Sequence, residues 1–391
     1  MGAVELGGEF VTAPLATYAR LREQGSVHRA ITPDGTEVWL VTRYEDVRAG
    51  LADPRLSLDK AHARDGYRGF SLPPELDANL LNMDAPDHTR LRRITAQAFR
   101  VHHLRPRVQQ IADELLDAIT PAGAADLIAS YAGPLPILVI SELLGVPQAD
   151  RPDFRAWTDE MLAPTSRESA GEALRSLHRF LLELVAAKRT DPGEDFISSL
   201  LAQHDRLSAD ELTSAAFLML FAGYENTVNL LGNGFAALLS HPDQLTAMRT
   251  EPELLRSAVD ELLRFDPPPQ TAIRRFPITD VEIGGVTVPA GATVLLSLVS
   301  AQHDPEVFAD PDALDLTRAD NPHLAFGHGA HFCLGAPLAR MEAEVGFETA
   351  LRRLPGLAPA ARPDELRWRP SFRNRGLRDL PVTFEPAEPK G

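Results

Sequence analysis

The chain predicts a mainly α fold, and three observations carry that expectation. Apolar residues recur at helical spacing in segment after segment from Ala13 to Phe265. A long apolar run, Leu212 to Ser240, follows a Ser208/Glu211 pair spaced as a capping box. That pairing predicts a central helix of about 30 residues, roughly 45 Å long. The β-type runs are short and lie near the N-terminus and between Thr271 and Leu298.

The elements follow in order. Ala13 to Glu23 reads as a helix, then Val27–Ala30 and Glu37–Thr42 as β-type runs, then Tyr44 to Ala52 as a short helix stopped at Asp53-Pro54. From Leu56 to Pro86 periodicity fails, with Gly66, Gly69, Pro73 and Pro74 as breakers. So long a loop in a compact domain is usually functional. Helices resume at His88–Phe99, Arg105–Ile119 and Tyr131–Leu144. Asp153–Met161 and Gly171–Lys188 form a pair around Pro164, and Pro252–Phe265 follows the central helix. Pro267 to Pro269 end that helix. Thr271–Phe276, Val281–Ile283, Val286–Val288 and Thr293–Leu298 read as strands, with turns at Gly284-Gly285 and Pro289-Ala290-Gly291. An irregular stretch, 304–325, leads to a glycine-rich loop and a last helix, and Val382-Thr383-Phe384 closes as a strand.

At 391 residues the chain exceeds a typical single core, yet no linker, repeat or composition break divides it. The N-terminal residues show neither a basic start nor an apolar h-region. The run Leu212–Ser240 carries Glu225, Asn226, Asn229 and Asn233, which suits a buried core helix better than a membrane span. A formal charge of −16 argues against nucleic acid and anionic membranes as partners. A single cysteine excludes an intrachain disulfide and suits a reducing, cytoplasmic setting. Lysine stands only at 60, 188 and 390 beside abundant arginine, a bias resembling GC-rich actinobacterial genomes.

That one cysteine, Cys333, lies in Phe326-Gly327-His328-Gly329-Ala330-His331-Phe332-Cys333-Leu334-Gly335, just before the last helix. Amides at a helix N-terminus favour a thiolate, and the glycines let the main chain pass close to something flat. The chemistry these residues suggest is a thiolate ligand to haem iron. In an arbitrary sequence a lone cysteine is more often a small core thiol. The surrounding aromatic, glycine and histidine pattern reverses that preference.

The loop resembles the haem loop of the cytochrome P-450 family, Phe-x-x-Gly-x-His-x-Cys-x-Gly, at Phe326, Gly329, His331, Cys333 and Gly335. Three further segments resemble the family in the expected order. They are His88-Thr89-Arg90-Leu91-Arg92-Arg93, Ala222-Gly223-Tyr224-Glu225-Asn226-Thr227 and Glu261-Leu262-Leu263-Arg264, with Arg318 as third partner of the last. The resemblance covers nearly the whole chain. It implies one domain, 1–391, mainly helical with a small β-rich region, and haem b between the central helix and the Cys-loop helix.

The resemblance also implies roles. Cys333 is the proximal ligand, Phe326 packs near the sulfur or ring, and Gly327, Gly335 and Ala222 also bind the cofactor. His88, Arg92, Arg275 and His331 pair with the propionates, while Arg90, Arg93 and Arg274 point elsewhere. Glu261, Arg264 and Arg318 form a buried structural network; as an exposed pair the first two would be worth only ~0.2–0.5 kcal/mol. Oxygen activation falls to Glu225, Asn226 and Thr227. The family usually places threonine directly after the acid, where this chain has Asn226, and Thr227 lies about 100° further round the helix. Asparagine can donate a hydrogen bond to reduced oxygen but cannot relay a proton as a hydroxyl does. Its alternative role is to satisfy helix carbonyls beside a kink at Gly223.

The implied distal lining comes from Lys60–Leu81, Asp153–Arg179, Leu218–Ala222, Thr271–Ile273 and the turn near Phe372. Phe70, Leu72, Leu218, Phe221, Ala222, Thr271, Ile273 and Phe372 are the candidate substrate contacts. The implied function is a monooxygenase, hydroxylating or epoxidising an apolar, macrolide- or polyketide-like metabolite, as in antibiotic biosynthesis. Electrons come from NAD(P)H through a ferredoxin reductase and a ferredoxin that docks at Arg92, Arg93, Arg100 and Arg340. A monomer is expected. Two other readings remain open from the residues: a peroxide-driven oxygenase or oxidative coupling enzyme, and a non-catalytic haem-thiolate sensor.

Overall fold

The structure is a computed structural model that describes residues 3–8, 10, 13–64, 66–67, 72–162, 165–203 and 207–387. Its centre is the helix Ala209–Ser240, α-helical without a break through Gly223. Ser208 accepts from the Glu211 amide, and Glu211 accepts in return from the Ser208 amide at 2.8 Å. The capping box read from sequence is therefore closed. Leu212 to Leu220 are all buried, as are Thr227 to Leu239, because other helices cover almost every side.

Two glycines fix how close the neighbours come. A Cβ at Gly346, in the helix Ala336–Arg353, would stand 2.8 Å from Leu231 Cδ2, and one at Gly234 would collide with the Phe347 ring. The helix that follows the Cys loop thus lies directly on the central helix, and the Tyr131 hydroxyl donates to Gly346 O at 2.9 Å. Pro134–Leu144 and Leu255–Phe265 pack on other parts of the central helix.

A four-stranded sheet flanks this bundle. Val4–Glu5 runs parallel to Val27–Ile31, which pairs antiparallel with Glu37–Val41; that strand runs parallel to Val294–Leu296. The last pairing, with Val41 opposite Leu296, joins the N-terminal hairpin to a strand some 250 residues later. Leu56–Ser57 pairs with Phe276–Pro277, and Ala124–Asp126 with Pro381–Thr383, which also carries Ala358–Pro359. Val281–Ile283 and Val286–Val288 form a hairpin through Gly284 and Gly285, both at positive φ, as a two-residue turn between twisted strands requires.

Several boundaries differ from expectation. The helix predicted from Tyr131 begins at Pro134, after a π-helical turn over Ile128–Ala132. The strand predicted over Thr271–Phe276 shrinks to isolated bridges at Thr271 and Arg275 and to the pair Phe276–Pro277. The run Thr293–Leu298 divides into the strand Val294–Leu296 and a helix, Leu298–Gln302, capped by Ser297. Helices at Phe196–Leu201 and Pro242–Thr250 were not anticipated. Among the described residues no helix is long and apolar enough to cross a membrane.

Candidate active site

The Cys loop is closed by its own main chain. The Cys333 amide donates to Phe326 O at 2.8 Å, and the Gly327 amide to Leu324 O at 2.8 Å. Gly327 and Gly329 adopt φ of 73° and 74°. A Cβ at Gly329 would also stand 3.0 Å from Ala52 Cα, so glycine is needed there for both conformation and space. Gly335 has an ordinary φ of −78°, and a Cβ there would make only ordinary contact with Cys333 Sγ, at 3.7 Å. Burial pushes the Cys333 thiol up, while the Gly335 and Ala336 amides and the charges of Arg92 and Arg340 pull it back. Phe326 is buried with the Arg340 guanidinium 4.6 Å from its ring centroid.

Four basic side chains converge beside this loop. The His88 and His331 rings lie with centroids 3.9 Å apart and planes tilted by 40°. Arg92 donates to Phe332 O at 2.6 Å, and Arg275 donates to Leu56 O at 3.2 Å. His88 Nε2 and Arg275 Nε are buried with no partner. Burial, with Arg92 behind it, lowers the His88 pKa; burial, His88 and Arg275 hold His331 down to about 4. Burial also takes Arg275 down to about 10. A cluster whose positive charge is disfavoured by burial, with nitrogens left unpartnered, fits an anionic group such as the paired propionates of haem. Arg90 turns away to Glu211, and Arg274 to Asn82 and the Tyr67 ring.

Glu261 and Arg264 are fully buried and bidentate, at 2.7 and 2.8 Å. Arg318 Nε and Asn321 Nδ2 each donate to Glu261 at 3.2 Å, and the Asp315 amide donates at 3.0 Å. Arg264 also donates to Gln302, Pro311 and Ala313 carbonyls. The network therefore fastens the irregular segment that leads to the Cys loop.

On the central helix, Asn226 Nδ2 donates to Ala222 O at 3.0 Å and Thr227 Oγ1 to Gly223 O at 2.8 Å. Both side chains bond their own helix, and the Asn226 amide presents its buried, unpartnered Oδ1. The amide thus keeps an unpartnered acceptor, while Nδ2 spends one of its two N–H donors on the helix. Glu225 accepts from Asn374 Nδ2 at 2.8 Å; burial raises its pKa, against the Asn374 bond and the charge of Arg369. Tyr224 donates to Asp159 at 2.6 Å.

Leu218 is buried, and Leu72, Phe221 and Ala222 pack against the same core. Thr271 is buried, but Ile273 is 40% exposed, in the irregular backbone that replaces the expected strand. Phe372 packs instead with Leu6, Phe10 and Tyr18, which draws it into the N-terminal cluster. Phe70 lies outside the described residues. Arg340 donates to Asp260 at 2.8 Å, so its charge is already paired, whereas Arg93 and Arg100 are exposed. Sequence reasoning missed Asn374, Arg369 and Asn321. Their partners are 60 to 149 residues distant, and no local spacing signals them.

The cytochrome P450 family model matches residues 139–355. The chain is 47% identical over 393 residues to cytochrome P450 monooxygenase PikC of Streptomyces venezuelae, covering 97% of this chain and 93% of that one. It is 43% identical to 6-deoxyerythronolide B hydroxylase of Saccharopolyspora erythraea, covering 94% and 95%. Among solved structures, the tirandamycin C-bound P450 monooxygenase TamI superposes with a TM-score of 0.89 at 41% identity, covering 97% and 100%. The chain belongs to the cytochrome P450 family. It is a haem-thiolate monooxygenase, and its Cys loop and basic cluster have the chemistry that cofactor needs.

Proposed function

We propose that the protein inserts one oxygen atom of dioxygen, by hydroxylation or epoxidation, into an apolar, macrolide- or polyketide-like secondary metabolite, with haem b as cofactor. The observation that carries the cofactor assignment is the juxtaposition of Cys333 with the orphaned donors of His88 and Arg275 beside His331 and Arg92. Bound haem-thiolate supplies dioxygen activation through electron donation from sulfur. The chain's own residues do the rest. The Gly335 and Ala336 amides favour the anionic sulfur against its burial. Leu72, Leu218, Phe221 and Ala222 supply an apolar wall that excludes water. Glu225, whose pKa burial raises, is the proton donor, and Asn226 Oδ1 accepts from a relay water or a substrate hydroxyl.

The substrate class is supported by relatives named for 6-deoxyerythronolide B and crystallised with tirandamycin C. Residues 1–391 act as one domain, a cytoplasmic monomer that takes electrons from a ferredoxin and its reductase. The exposed Arg93 and Arg100, near Arg92, suit an acidic ferredoxin despite the chain's net charge of −16. The test is turnover of polyketide and macrolide candidates that shift the haem spectrum on binding. NAD(P)H, reductase and ferredoxin run in one arm, and hydrogen peroxide alone in the other. Product in the first arm supports the reading; product only with peroxide assigns the peroxide-driven alternative. Binding without product in either arm assigns the sensor.

A further inference from the structure

Glu225, Asn229 and Asn233 are spaced four apart on the central helix and so form one polar stripe. A C-terminal hairpin is docked along it. Trp368 bridges Leu377, the Arg369 amide donates to Gly376 O at 2.9 Å, and the Arg378 amide donates to Arg367 O at 2.8 Å. Each rung of the stripe meets this hairpin. Asn374 Nδ2 donates to Glu225 at 2.8 Å, and Asn233 Nδ2 donates to Arg375 O at 3.1 Å. At the middle rung a Cβ on Gly376 would collide with the Asn229 amide, so only glycine allows this approach.

The hairpin is also anchored behind. The Arg375 amide donates to Pro268 O, and the Gln270 amide to Arg373 O, each at 2.7 Å. The Glu225 carboxyl opens onto a cleft of about 240 Å³. The charged groups facing it there are Arg155 and Asp159 from the helix Arg151–Leu162, and Arg369 and Arg378 from the hairpin; Asp159 is occupied by the Tyr224 hydroxyl. A cleft of that size, with charged groups in its wall, has room for several waters.

We propose that Asn374 is a positioning residue for proton delivery: through it, the docked hairpin holds the Glu225 carboxyl at the wall of a water-accessible cleft. This rests on the reading of Glu225 as proton donor. Over a cycle the carboxyl releases one proton toward the reduced oxygen and recovers one from cleft water, so it ends unchanged. Burial raises its pKa, and the Asn374 bond and the Arg369 charge work against that rise. A carboxyl freed from Asn374 would adopt other rotamers and deliver late, leaving reduced oxygen to escape as hydrogen peroxide.

The test compares wild type, Asn374→Leu, Asn374→Gln and Glu225→Gln as holoenzymes. The Glu225 carboxyl is titrated by 13C NMR in glutamate-labelled, reduced, carbon monoxide-bound protein, and Glu225→Gln assigns its signal. Peroxide formed per NAD(P)H is followed against pH. In Asn374→Leu the titration should move to higher pH and peroxide yield should rise about threefold, well short of the ~10²-fold cost of deleting a general acid. The substrate-induced spectral shift should stay as in wild type, and Asn374→Gln should recover part of the coupling. An unmoved titration in Asn374→Leu beside uncoupling in Glu225→Gln overturns the role of Asn374 alone. Full coupling in Glu225→Gln overturns the donor reading and the role of Asn374 with it.

Discussion

Replacing Glu261 with glutamine tests whether the buried network holds the segment that carries the Cys loop. The carboxylate has no exposed surface and accepts from Arg264 twice, Arg318, Asn321 and the Asp315 amide. Five such bonds at about 1.5–3 kcal/mol each would match the whole stability of most domains, so they cannot be summed. Glutamine keeps one carbonyl acceptor but turns an NH2 toward donors and leaves Arg264 as an uncompensated buried cation. Breaking one partner of such a pair costs about 3–5 kcal/mol. An exposed ion pair gives the contrast: Arg362–Asp364, with both side chains 71% exposed, makes Asp364→Asn a control expected to stay within ~0.5 kcal/mol. Urea unfolding should be followed by far-ultraviolet circular dichroism and by the Soret band. Glu261→Gln should lower the midpoint and lose the Soret signal first, because Asp315 and Asn321 lie in the segment leading to the ligand. A loss below about 1 kcal/mol, the range of surface pairs, would refute the argument.

Cys333→Ser should abolish the red-shifted Soret band of the reduced carbon monoxide adduct while helical circular dichroism survives; an unchanged band would exclude the thiolate. Asn226→Ala should leave the substrate-induced spectral shift intact but lower product per NAD(P)H, since its Oδ1 acts only after oxygen is reduced; wild-type coupling would leave it a helix-carbonyl partner. Arg93→Glu with Arg100→Glu should slow ferredoxin-supported reduction and flatten its dependence on ionic strength, measured by stopped flow. Glu342 is buried and its pKa is raised well above the usual value by burial. Its folded state keeps a proton that the unfolded chain releases near pH 4.5, so stability present below that pH declines as pH rises. Glu342→Gln should remove that decline, raising the urea midpoint at pH 8 and barely moving it at pH 4.

What could be read in the sequence was what is local in the chain. The Ser208/Glu211 capping box, the Gly284-Gly285 turn and the Cys loop each lie within ten residues, and each appears where the residues place it. The helix Phe196–Leu201 had a legible signal in Asp195, whose side chain accepts from the Ser198 amide, but six residues offer too little periodicity. Pro134 moves a helix start that the apolar pattern placed at Tyr131, because the preceding π turn shares the same apolar spacing. Strand pairing was not legible, since Val41 and Leu296 are matched by register and not by spacing. The same holds at the site. His88, Arg92, Arg275 and His331 could be named from a resemblance and the local bond of Asn226 to Ala222 O was one of two readings, but the bond from Asn374 to Glu225 depends on packing across 149 residues.

The parallel pairing of Glu37–Val41 with Val294–Leu296 also has a meaning in time. On a ribosome adding about 5–20 residues per second, the N-terminal hairpin emerges roughly 13 to 50 s before the strand that completes its sheet. Until then its edge is open and available to a wrong partner. The helix Tyr44–Ala52 waits with it, and Ala52 is the residue against which Gly329 of the ligand loop is seated. The ligand loop thus receives its backing from an early part of the chain, after a long delay. Haem capture becomes a late event that reports whether both ends of the polypeptide have found each other.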